Sequence, residues 1–202
     1  MTTTTGAGLV PATPEPLSGS RATAWWGMVA LLTTEGTLFL ILIFSYFYLR
    51  WESPRWPPEG IPLPSFTYII PATILLLGSS APMVWAEMGI KRGNQNALRI
   101  GAASAWVMAA CFMGLELYEW THLSFGPKTN AYGSLYFTIT GFHLAHLSVA
   151  LTLSAYLQLR AWLGHFDARR HLAVENVSLY WHFVDAVWIV VFSTVYISPF
   201  IK

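Results

Sequence analysis

Three pairs of side chains able to hold a proton or a metal recur at three-residue spacing in a chain otherwise poor in charge: Glu116 with Glu119, His143 with His146, and His182 with Asp185. On a helix, a step of three keeps both members of a pair on one face. Carboxylates and imidazoles projecting inward from several helices are what helical bundles use to build di-metal centres, so a membrane di-iron or copper enzyme is one reading. A buried hydrogen-bond network is the other, because spacing fixes a face and not a ligand set. Position weighs against the metal: Glu116, Glu119 and His122 fall near one membrane surface, whereas Asp185 falls near the midplane. Haem ligation by His143 and a histidine of another helix is a third option, with no Cys-x-x-Cys-His motif to accompany it.

One carboxyl stands apart. Glu35 is the only charge in the first apolar stretch, and at ~1.5 Å per residue it lies about 16 Å from Ala24, close to the centre of a bilayer. No cation occurs between Arg21 and Arg50. Desolvation is therefore expected to keep Glu35 neutral at neutral pH. A hydrogen bond to Thr34 or to a neighbouring helix, with no further role, is the alternative.

The elements that must position these groups follow from composition. A chain of 202 residues with 54% hydrophobic and 10% charged residues has too little charge to clothe a soluble globule, so an all-α integral membrane protein is expected. Five apolar segments are long enough to cross a bilayer, at about 24–49, 65–88, 97–122, 131–163 and 174–199, giving one five-helix membrane domain over 24–202. Residues 1–23, rich in Thr and Pro, read as a disordered cytoplasmic tail. In the fifth span Glu175, Ser178, His182 and Asp185 step along one face while Trp181, Val184 and Trp188 occupy another. An ionisable stripe against lipid would cost about 2.5–3.5 kcal/mol per group, so it must face protein. Pro71 and Pro82 lie inside the second span, where neighbouring helices can satisfy the freed carbonyls. Glu87 reads as an exposed pair with Lys91. The single Cys111 reads as a small core residue.

The loop after the first span carries Trp56-Pro57-Pro58 among further prolines and aromatics, which suits an ordered surface segment better than helix or linker. Net charge of +1 offers no basic patch and sets nucleic acid aside as a partner. Locally the charges are informative. Arg21, Lys91, Arg92, Arg99, Arg160, Arg169 and Arg170 fall on one side of the five spans, and Arg50, Arg55, Lys128 and Lys202 on the other. By the positive-inside rule, this predicts a cytoplasmic N-terminus and a periplasmic C-terminus.

Taken in order, Gly27 and Glu35, Trp56-Pro57-Pro58, Glu116 and Glu119, Tyr132-Gly133-Ser134, Gly141-Phe142-His143 with His146, Glu175 and residues 180–188 form a specific set. Over residues 26–199 the chain resembles subunit III of the haem-copper oxidases, of the cytochrome c oxidase type. The resemblance implies a subunit without a redox centre of its own in a proton-pumping oxidase that reduces oxygen to water during aerobic respiration. It implies placement beside the catalytic subunit I and subunit II in a bacterial inner membrane, with haem and copper confined to those partners and phospholipid bound to this chain. The implied roles are stabilising the catalytic subunit and supporting proton uptake and oxygen access, with Glu35 facing that subunit or lipid. Five spans resemble the short bacterial form, which lacks the first two helices of the seven-helix version. A quinol oxidase subunit III, a homologue accompanying nitric oxide reductase and, remotely, an independent di-metal enzyme are the alternatives. Two departures stand out: the family reads Phe-His-Gly-Leu-His where this chain has Phe142-His143-Leu144-Ala145-His146, and paired phenylalanines where Gly36, Thr37 and Leu38 precede Phe39.

Overall fold

The computed structural model describes the backbone of residues 18–201, with side chains from residue 23 onward. Five helices follow one another: α1 Ser18–Glu52, α2 Phe66–Lys91, α3 Gln95–His122, α4 Ala131–Trp162 and α5 Leu172–Phe192. A wider turn over Ser193–Ile197 and a tight one over Ser198–Phe200 carry α5 to the chain's end. All five are long and apolar enough to cross a membrane. The tail expected over 1–23 falls outside the described residues up to position 17, and its last residues belong to α1, which begins at Ser18. Lys202 also lies outside them.

Side-chain caps start three of the helices. Ser65 Oγ accepts the amide of Thr67, Asn94 Oδ1 that of Ala97, and Asn130 Oδ1 that of Gly133. Each supplies an acceptor to a first-turn N–H that has no partner in the helix itself. Between α2 and α3 the chain reverses at Gly93, whose φ of +78° is a conformation other residues adopt only at a cost. The two helices then lie against each other along most of their length. A Cβ on Gly101 would stand 2.5 Å from the Pro82 carbonyl oxygen and 2.9 Å from Ala86 Cβ, so only glycine permits this approach. Pro82 therefore sits at one close point of the α2–α3 contact, and Gly89 against Ala97 marks another.

α5 is the central helix, packed on α1, α2 and α4. Both of its faces are inside the protein. Ser178 and Asp185 are buried on one, and Trp181, Val184 and Trp188 on the other. The two indoles donate to α2, Trp181 to Ser79 Oγ at 2.9 Å and Trp188 to Thr73 Oγ1 at 3.1 Å. By contrast, among its described side chains α1 turns only Phe39 and Tyr46 fully inward and leaves Leu40, Ile41 and Phe44 outward. Cys111 is exposed on the outer side of α3, not in the core as its apolar surroundings suggest, because Ala105, Ala109 and Phe112 take the inward face.

At one end of the bundle the Trp56-Pro57-Pro58 loop folds over an aromatic cluster. The Trp56 ring lies 5.4 Å from Tyr46 and 5.3 Å from Tyr132, both edge-on. The Arg50 guanidinium donates to the Ile201 carbonyl, which puts the end of α1 and the end of the chain side by side.

Candidate functional site

Glu35 meets α4. His146 Nε2 stands 2.8 Å from Glu35 Oε2, and His146 Nδ1 lies 2.7 Å from the Phe142 carbonyl one turn back. A carbonyl accepts only, so Nδ1 carries a hydrogen. With Nδ1 so committed, the contact to Glu35 holds one proton, either as carboxylic acid donating to a neutral ring or as imidazolium donating to carboxylate. Sequence reasoning found no cation within the first span and left open a hydrogen bond to Thr34 or to a neighbouring helix; the structure shows the neighbouring helix. The basic group comes from another helix, while Thr34 spends its hydroxyl on the Leu31 carbonyl. Phe39 packs edge-on against His146 at 5.0 Å, and Tyr180 Oη donates to the His146 carbonyl at 3.4 Å. Glu35, His146 and Tyr180 border a groove of about 330 Å³ whose other walls, Met28, Leu31, Val149 and Leu153 among them, are apolar.

His182 and Asp185 do not bond to each other; both reach Ser80 on α2. Ser80 Oγ donates to Asp185 Oδ2, and His182 Nδ1 is 3.1 Å from Ser80 Oγ. Once the hydroxyl hydrogen is spent on Asp185, His182 Nδ1 must be the donor to Ser80. The stripe on α5 is not one network, however. Ser178 Oγ makes no hydrogen bond to a described residue. Glu175, in the first turn, lies 3.2 Å from Lys91 Nζ and 3.3 Å from His171 Nε2. Lys91 also holds Glu87 at 2.6 Å, so the expected surface pair is part of a bridge from α2 to α5. The position suits Glu175, since a helix N-terminus favours negative charge.

Glu116 and Glu119 converge on one hydroxyl. Tyr196 Oη lies 3.1 Å from Glu119 Oε2 and 3.4 Å from Glu116 Oε1, and 2.7 Å from Tyr136 Oη. A phenol has a single hydrogen, so Tyr196 donates to only one of these three oxygens at a time. His143 departs from the expected network. It is fully buried, neither ring nitrogen bonds to a described residue, and its ring lies 4.7 Å from Trp188 and 5.9 Å from Phe112. The pair spacing that suggested a shared role puts His143 among aromatics and His146 on Glu35, because a three-residue step is 300° and only loosely one face. Among the described residues, no three His, Cys, Asp or Glu side chains gather in a geometry fit for a metal ion.

Ser80, Tyr136, Tyr180, Tyr196 and His171 are the partners that sequence reasoning missed. The Ser79-Ser80 pair inside an apolar span was a readable signal; for Tyr136 and Tyr196 there was none, since their place near a membrane surface already accounts for them, and Tyr180 lies in the stretch 180–188 already singled out, with only its bond to His146 unread.

The family model described as cytochrome c oxidase subunit III matches residues 19–199. Cytochrome c oxidase subunit 3 of Thermostichus vulcanus is 32% identical over 172 residues, covering 85% of this chain and 85% of that protein. That of Synechocystis sp. is 35% identical over 175 residues, covering 85% and 74% respectively. The similarity extends to an annelid, Lumbricus terrestris, at 33% over 181 residues, covering 85% of this chain and 68% of the relative.

Proposed function

The chain belongs to the cytochrome c oxidase subunit III family, and on that footing we propose that it is the non-redox subunit III of a proton-pumping cytochrome c oxidase, packed beside subunits I and II in a bacterial inner membrane. The match over nearly the whole described chain is the observation that carries this reading. Haem and copper reside in the partner subunits, and electrons from cytochrome c pass through those alone. The dispersal of the polar groups supports this: His143 is walled by aromatics, His146 is engaged by Glu35, and His182 by Ser80.

The work of the subunit is then physical. A packed bundle against the flank of subunit I keeps water and lipid from that surface, and so holds the local dielectric and the proton affinity of groups near a proton entrance. The apolar groove beside Glu35 and His146 accommodates a phospholipid acyl chain and offers oxygen a path of low polarity toward the catalytic subunit. Glu35 is the functional carboxyl. Of the remaining polar groups, Glu116, Glu119, His146, Glu175, His182 and Asp185 serve hydrogen bonding and ion pairing within the bundle and His143 and Ser178 serve its packing, while Trp56, Pro57 and Pro58 close its end.

The test is purification through a tag on this chain. The expected result is a complex with a haem spectrum that oxidises cytochrome c, and whose sustained turnover and proton uptake fall when this chain is stripped away. Recovery without haem, or stripping that leaves turnover and pumping unchanged, would overturn the proposal; oxidation of quinol in place of cytochrome c would move the chain to the sister branch.

A further inference from the structure

A cavity of about 350 Å³ opens between the α1–α2 loop, the first turn of α2, the end of α3, the α3–α4 loop and the first turns of α4. That volume is in the range of small-ligand pockets. Its wall is largely apolar, with Leu63, Phe125 and Tyr68 in it, and Glu119, His122, Tyr132 and Tyr136 are among the residues that line it.

Three observations bear on what it takes. Glu116 and Glu119 share the one hydrogen of Tyr196, and neither forms an ion pair with a described residue, so the cavity borders uncompensated acceptor capacity. Tyr132 is fully buried and its hydroxyl bonds to no described residue although it lines the cavity; a buried polar group left so is costly. Aromatic rings crowd the same wall, with Phe125 5.6 Å from Tyr132 and 5.4 Å from Tyr136, and ring faces attract cations. A divalent metal suits this less well, because the described carboxylates and imidazoles do not come together in threes.

We propose that this cavity binds an organic ammonium group, paired with Glu119, donating an N–H to Tyr132 Oη, and laying its apolar portion against Leu63 and Phe125. A monocation pairs with the Glu119 carboxylate and donates to the Tyr132 oxygen, whereas a neutral amphiphile brings no charge and an anion is repelled. Two sources present this chemistry at a membrane surface, the headgroup of an aminophospholipid and a free amphiphilic amine.

The assembled complex retaining this chain is titrated calorimetrically with n-hexylammonium and, as neutral counterpart, n-hexanol. Saturable hexylammonium binding is expected, about tenfold or more tighter than hexanol, weakened several-fold by Tyr132→Phe and abolished by Glu119→Gln. Equal affinity for the two probes, or binding indifferent to Tyr132→Phe, overturns the proposal. Should Glu119→Gln fail to assemble, those two comparisons still decide it. In nanodiscs of phosphatidylethanolamine and phosphatidylglycerol, native mass spectrometry separates the sources. One phosphatidylethanolamine per chain, released by hexylammonium, assigns the lipid headgroup; hexylammonium binding with no such lipid assigns a free amine; absence of both overturns the site.

Discussion

His146 on α4 and Glu35 on α1 share one proton across 2.8 Å, and this contact ties α1 to the bundle together with those of Arg50 to Ile201 and Ser198 to Tyr46. Because Phe142 fixes the hydrogen on Nδ1, Glu35→Gln keeps a workable geometry: the amide donates to Nε2 of the neutral ring. Its assembly and thermal stability are expected within about 1 kcal/mol of the parent, whereas His146→Leu leaves Glu35 without its partner and costs about 1–3 kcal/mol. For Glu35 as the functional carboxyl, Glu35→Gln also changes sustained oxygen reduction or proton uptake. Turnover and pumping that match the parent across neutral and mildly alkaline pH would leave it a structural residue.

Ser80 holds two acidic or basic groups of α5 through one hydroxyl. Asp185 Oδ1 already lacks a partner among the described residues, so Ser80→Ala strips Asp185 of its remaining side-chain bond and is expected to destabilise the bundle by about 1–3 kcal/mol. A double-mutant cycle with Asp185→Asn reads the coupling directly. Additive losses would mean that the two side chains do not interact in the membrane.

The five-helix architecture was legible because apolar length and the Gly, Pro and Asn punctuation between segments are local signals. Which helix supplies each polar partner was not. Glu35 is bonded to a residue 111 positions away and Asp185 to one 105 positions away, and periodicity along one helix says nothing about the rotation of its neighbour. The spacing of His143 and His146 misled for the same reason. Two residues of one turn can diverge when helices pack on both sides, and here they face different neighbours, Trp188 on α5 and Glu35 on α1. The misplacement of Cys111 came from treating an apolar run as core, when lipid-facing positions are equally apolar.

Two glycines of α3 are expected to respond oppositely to the same change. At Gly101 an added methyl meets the Pro82 carbonyl oxygen at 2.5 Å, which forces α2 and α3 apart. At Gly114 it meets nothing within 4 Å. Gly101→Ala should therefore lower stability by about 1–3 kcal/mol, the usual cost of overpacking, while Gly114→Ala should be neutral or stabilising by up to about 1 kcal/mol through helix propensity. Thermal melts of the two variants in one detergent decide it; similar behaviour would mean that the α2–α3 contact is not closely packed.

The side on which each end of the chain lies follows from charge and helix number together. Arg50 beside Ile201 fixes the end of α1 and the end of the chain on one face of the bundle. The four basic residues of that half stand against seven on the other, which includes Lys91, Arg92 and Arg160 to Arg170. In the α4–α5 loop Asp167 accepts the backbone N–H of Arg169 at 2.7 Å and of Arg170 at 2.8 Å, which holds its carboxyl below the usual range. It is thus ionised at neutral pH, but acidic residues contribute little to orientation, so Arg160, Arg169 and Arg170 count in full. A cytoplasmic N-terminus and a periplasmic C-terminus are expected. Alkaline phosphatase fused after Lys202 should be active and the same enzyme fused before Met1 inactive. Activity at the N-terminal fusion, or matching activity at both, would contradict the assigned orientation.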